Sequence, residues 1–89
     1  MTNQSIDSAT RSATSAFRRK LDDHFQVRQT LLFGSRARRD NHAESDADVA
    51  VMLKGPPGKF IETTFAMDDL AFAVLLDTGI RIQPLQMWL

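Results

Sequence analysis

Asp46 to Leu53 reads DADVAVML, and this strict alternation constrains the chain more than any other stretch. Neighbouring side chains on a strand point to opposite faces. Ala47, Val49, Val51 and Leu53 therefore share one face, and Asp46, Asp48, Ala50 and Met52 the other. The first set is wholly apolar and requires a cover of helices. The second sets two carboxylates side by side, their α-carbons roughly 6.5–7 Å apart. At that spacing both reach one cation. Without it the like charges repel; with Mg²⁺ they become oxygen ligands of a hard ion that also keeps phosphate oxygens and waters.

The flanking segments supply the cover. Ala9, Ala13, Phe17, Leu21 and Phe25 repeat every four residues, which predicts a helix from Asp7 or Ser8, either a good N-cap, to about Phe25. Residues 1–6 are expected to fray. Arg28 to Phe33 reads as a strand ended by Gly34, and residues 35–45 as a polar connection with one helical turn after Ser35. After the DADVAVML strand comes KGPPGK, a loop dense in turn-forming residues. A second helix is expected from Phe60 to Asp77, with Met67, Leu70, Ala71 and Val74 on one face and Gly79 as its C-cap. Ile80 to Trp88 completes the set as a strand, which Pro84 assigns to a sheet edge or a bulge. A helix joins the last two strands, so hairpins alone cannot connect the sheet.

These elements predict a single α/β domain over residues 1–89, a small mixed sheet of three or more strands with two main helices on one face. So short a chain has a thin core, and three strands leave edges open. A partner or a homodimer is expected to cover part of it. The formal net charge is zero, which disfavours nucleic acid and anionic membranes as partners. Absence of cysteine excludes disulfides, thiolate zinc sites and a cysteine nucleophile, and fits a reducing cytoplasm. No window approaches the ~20 apolar residues of a membrane span, and the N-terminal stretch lacks the pattern of a signal peptide.

Gly34-Ser35 directly follows an apolar strand, a junction that exposes backbone N–H groups suited to phosphate. The Ser35 hydroxyl adds a donor, and Arg36, Arg38 and Arg39 add positive charge. With ten residues between the two motifs, the chain reads GSx₁₀DxD. This pattern, its flanking strands and the SRAR continuation resemble the polymerase β-like nucleotidyltransferase superfamily, in particular its minimal nucleotidyltransferase branch. The resemblance is close over Leu31 to Leu53 and loose over the rest. It implies that Gly34, Ser35 and Arg36 hold a nucleoside triphosphate, ATP, while the catalytic pair Asp46 and Asp48 holds Mg²⁺. An acceptor hydroxyl, on a protein or a small molecule, then takes the nucleoside monophosphate and pyrophosphate leaves.

Active members of that family usually carry a third carboxylate on the strand after the intervening helix. Here Gln83 stands at that position, with Arg81 nearby. Glutamine offers a carbonyl but no base. Glu44 is the nearest substitute; Asp68, Asp69 and Asp77 belong to the second helix, the first two facing solvent. The family also includes antitoxins of HEPN-type ribonuclease toxins, some relatives of which transfer AMP to a tyrosine on the toxin. This chain has no tyrosine, so such an acceptor would lie elsewhere. The resemblance thus implies either a Mg²⁺-dependent nucleotidyltransferase or a catalytically weak antitoxin acting by direct binding. A third reading, nucleic-acid binding through Arg36, Arg38 and Arg39, is opposed by the zero net charge. His24 is expected to serve a helix end, His42 a loop, and Met87 and Trp88 the core or an interface. No histidine spacing supports zinc.

Overall fold

A computed structural model of the chain describes residues 7–38, 41–42, 45–55 and 59–88. The expected fraying of residues 1–6 and the Pro-Pro-Gly part of the KGPPGK loop lie outside the described residues. The elements follow the order α1 (Ser8–Asp22), β1 (Val27–Phe33), α2 (Ser35–Arg38), β2 (Ala47–Leu53), α3 (Phe60–Thr78) and β3 (Ile82–Trp88).

Helix α1 begins where Asp7 accepts a 2.7 Å hydrogen bond from the Thr10 amide, which satisfies one of the helix's orphan donors. It ends at Asp22 rather than Phe25, where the amides of Asp23 and His24 donate to the Lys20 and Leu21 carbonyls at 3.3 and 3.0 Å, the i→i−3 pattern of a tightening last turn. Thr10, Ala13, Phe17 and Leu21 form its buried stripe, so the inward face starts at Thr10 and Ala9 is exposed. Phe25, beyond the helix, still packs against the core. In α3 the inward face is Thr63, Met67, Ala71 and Val74. Gly79 closes it with φ +77°, its N–H donating to the Leu75 carbonyl at 2.8 Å, a left-handed cap that a side chain would strain.

The sheet order is β1-β2-β3, with β1 antiparallel and β3 parallel to the central β2. A fold of this kind is α/β with a mixed three-stranded sheet, and the intervening α3 makes the parallel pairing possible. Both main helices lie on the face formed by Ala47, Val49, Val51 and Leu53, and these four join Phe17, Leu21, Met67 and Val74 in one core. Ile80 and Ile82 are also buried there, although β3 itself begins only at Ile82. Gln86 ties β3 to α3, donating to Thr64 Oγ1 at 2.8 Å and to the Phe60 carbonyl at 3.1 Å, while Trp88 Nε1 donates to Gln86 Oε1 at 2.9 Å. Pro84 sits in this edge strand, where a missing N–H is tolerated. The one register shift falls instead in β1, between Val27 and Gln29.

The opposite sheet face is open. Across it, Phe33, Asp48 and Gln83 form one row, and Leu31, Ala50 and Leu85 form the next. Leu31, Phe33, Leu85 and Met87 are exposed on it.

Candidate functional site

Gly34 ends β1 with φ +79°, a left-handed conformation. Its carbonyl accepts from the amides of Ala37 and Arg38 at 3.1 and 3.2 Å, which winds Ser35 to Arg38 into the single turn of α2. The antiparallel register brings Asp48 opposite Phe33, so the Asp48 carboxylate arrives at this turn. A Cβ on Gly34 would overlap Asp48 Oδ2 outright and stand 3.2 Å from Asp48 Cγ. Glycine is therefore required twice over, once for its φ and once for the room it leaves to a carboxylate.

Asp46 lies one residue ahead of β2 and is exposed. Its Oδ1 is 3.9 Å from Arg81 Nε, a long ion pair in solvent. The backbone fixes the approach, since the Ala47 amide donates to the Arg81 carbonyl at 2.9 Å. Asp48 stands beside Gln83 in the parallel ladder. The two aspartates thus share one end of the sheet with different neighbours, Asp48 against the Gly34 turn and Asp46 beside Arg81. Next to them a cavity of about 230 Å³ opens between α3 and β3, lined among others by Asp68, Phe72, Leu75, Arg81 and Gln83.

Arg36 has a different setting from the one its sequence context implies. It is buried, with 3 % of its surface exposed. Nε donates to the Ser45 carbonyl at 2.8 Å, Nη1 to Thr10 Oγ1 at 2.8 Å and Nη2 to the His42 carbonyl at 3.4 Å. The planar fork thereby ties α1 to the loop that delivers Asp46 and Asp48 to their strand. The same loop is closed by Ser45, whose amide donates to the His42 carbonyl and whose Oγ accepts from the His42 amide, both at 3.0 Å. Reading the run of arginines as surface charge misses this role. The signal available was Thr10, a hydroxyl at a core position of an otherwise apolar stripe, which needs a partner once buried.

Residues 17–85 match the family model described as "Polymerase beta, Nucleotidyltransferase". The chain belongs to the polymerase beta nucleotidyltransferase family. The matched span runs from Phe17 in α1 to Leu85 in β3 and contains the Gly34 turn, both aspartates and Gln83. Membership supports a general role in nucleotidyl transfer. No curated protein and no solved structure matches the chain.

The other candidates are scattered relative to the Gly34–Asp48 turn. Glu44 and Arg39 lie outside the described residues. Asp68 and Asp69 are exposed on α3, as expected, and Asp77 is exposed near its C-terminal end. His24 is exposed just beyond α1, and His42 is an exposed loop residue whose backbone serves Arg36 and Ser45. Trp88 packs against the core, whereas Met87 is exposed on the open face. Among the described residues no three of His, Cys, Asp and Glu group to hold a metal. Two carboxylates suit a Mg²⁺ ion that arrives with a triphosphate, because that ion is commonly held by one or two carboxylates with phosphate oxygens and water. They do not build a cage that would hold Mg²⁺ alone. No helix among the described residues is long and apolar enough to cross a membrane.

Proposed function

We propose that this chain is a Mg²⁺-dependent nucleotidyltransferase of a reducing cytoplasm, transferring the AMP portion of ATP to a hydroxyl of a protein or small molecule. One observation carries the reading: in a member of this family, the Asp48 carboxylate lies directly against the Gly34 turn. Gly34 leaves room for the Asp48 carboxylate against the turn, and Ser35 adds a hydroxyl donor. Asp46 and Asp48 would hold the metal, which supplies charge neutralisation on phosphate oxygens when bound. Arg36 acts as a positioning residue, since its three arms fix the loop before β2. Arg81 has to leave Asp46 when that carboxylate takes a metal; at 3.9 Å and in solvent the pair costs little to break.

A second reading rests on the β3 side of the site. Gln83 adjoins Asp48 and accepts no proton from an attacking hydroxyl, so transfer by this chain is slow. The domain would then act by contact, as an antitoxin that covers a HEPN-type ribonuclease toxin or as a homodimer, with Leu31, Phe33, Leu85 and Met87 as the available sheet surface. The nucleic-acid reading loses support, because one of its three arginines is the buried Arg36.

Mass spectrometry of a candidate acceptor after incubation with Mg-ATP separates these readings. An added AMP that disappears with Asp48→Asn establishes transfer. A tight complex with an unmodified partner, unchanged by Asp48→Asn, establishes the binding role and overturns the enzymatic one.

A further inference from the structure

Helix α3 is apolar on two opposite sides. Thr63, Met67, Ala71 and Val74 face the core, yet Ile61, Phe65, Phe72 and Leu76 are 58–71 % exposed. At 100° per residue these four fall within one narrow stripe diametrically across from the buried face. A helix apolar all round is normally covered all round, and large bare apolar patches mark interaction sites. The stripe from Ile61 to Leu76 is roughly 22 Å long, four helical turns.

The charge pattern specifies what fits. Helix α3 contains Glu62, Asp68, Asp69 and Asp77 and no lysine or arginine. Asp68 and Asp69 flank the stripe at its middle, between Phe65 and Phe72, and both are exposed. We propose that the outer face of α3 docks an amphipathic helix of a different protein, one whose apolar ridge carries lysine or arginine at its centre.

A second copy of this chain does not meet that description. Two α3 helices paired antiparallel about a twofold axis would bring the aspartates of both to the crossing point, where like charges repel. The outer side of α1 presents Arg11, Ser12, Ser15 and Arg19, all exposed, which is basic but has no apolar ridge. The open sheet face is apolar at its middle, but it carries Asp48, and Arg81 stands at one end of it, paired with Asp46, so no cation lies within its ridge. Among the described surfaces none joins an apolar ridge to a central cation. The acids also disfavour an anionic lipid surface. Phe72 and Asp68 also border the cavity between α3 and β3, but the stripe as a whole lies across α3 from the core, and helix binding to it is read without nucleotide, so this inference stands whether or not the chain transfers nucleotides.

Two fluorescein-labelled 18-residue peptides test the proposal, each an amphipathic helix with a leucine ridge, one with a central lysine pair and the other with a central glutamate pair. By fluorescence anisotropy in low salt, the lysine peptide should bind the full chain at least tenfold more tightly. Raising the salt should shrink that ratio, because the aspartates are exposed. Asp68→Lys with Asp69→Lys should reverse the order, and Phe65→Ser with Phe72→Ser should abolish binding of both peptides while circular dichroism shows the fold intact. All four substituted positions are at the surface; should the serine variant fail to fold, the charge-reversal variant alone decides. Equal affinity for both peptides, no binding of either, or a sedimenting dimer dispersed by Phe65→Ser would overturn the proposal. So would recovery on phosphatidylserine vesicles that is insensitive to the aspartates.

Discussion

Helices α1 and α3 lie on the same face of the same sheet, yet they meet water in opposite ways. Helix α1 has one buried stripe, an Asp7 side-chain cap at its start, Arg19 and Lys20 in its last turn, and a polar exterior. Each feature lowers its own free energy without a further neighbour. Helix α3 starts at Lys59 with no side-chain cap, has no base in its last turn, and leaves Ile61, Phe65, Phe72 and Leu76 in solvent. The difference teaches that α1 is finished within this domain, while α3 is built for a neighbour on each side.

The same substitution in the two helices breaks or confirms that contrast most sharply. Phe17 is fully buried and Phe72 is 58 % exposed. Phe17→Ala should cost about 3–5 kcal/mol, most of the stability of a domain this small, whereas Phe72→Ala should stay within about 0.5 kcal/mol. Urea denaturation of both variants measures this; comparable losses would mean α3 is not a two-sided helix.

The link from α1 to the site gives a smaller effect. Thr10→Val removes the hydroxyl that accepts from Arg36 Nη1 at 2.8 Å in the buried contact between α1 and α2. The expected loss is about 1–3 kcal/mol, accompanied by weaker binding of Mg-ATP in calorimetry, because the loop before β2 loses its anchor. Asp69→Asn on the outer side of α3 should change neither quantity measurably.

The caps give the smallest effect. Asp7→Ala should cost about 1 kcal/mol, and Lys59→Asp should return about the same, since it creates a capping box with Glu62. Asp7 also carries a pH signature. The Thr10 amide, with its hydroxyl and Asn41 and Arg36 behind it, holds the Asp7 carboxyl below its ordinary value of 3.8. A depressed folded pKa contributes stability that is complete above 3.8 and is lost as the pH falls from there through the folded value. Asp7→Asn keeps a capping oxygen but not the charge, so its stability should fall less steeply than that of the parent below pH 3.8 in acid titrations.

What the sequence made legible was whatever depends on neighbours along the chain. The alternation of DADVAVML fixed which side of β2 is buried, and the spacing of Met67, Ala71 and Val74 fixed the inward side of α3. Gly79 marked the end of α3. Gln83 also stands beside Asp48, as its position in the last strand implied. What stayed hidden depends on residues distant in the chain. The partners of Arg36 lie on α1 and in the loop before β2, so nothing local distinguishes it from Arg38. The approach of Arg81 to Asp46 requires the β2–β3 register. The exposed side of α3 gave no signal because large apolar residues on both sides of the helix leave periodicity little contrast.

The mixed pairing of the sheet also sets an order of assembly. Strands β1 and β2 come together across the short connection through α2, whereas β3 reaches β2 only after the whole of α3 has formed and docked. Closing the longer span is the slower step. The Gly34–Asp48 contact, made across the shorter connection, should therefore form before Arg81 and Gln83 reach the same end of the sheet.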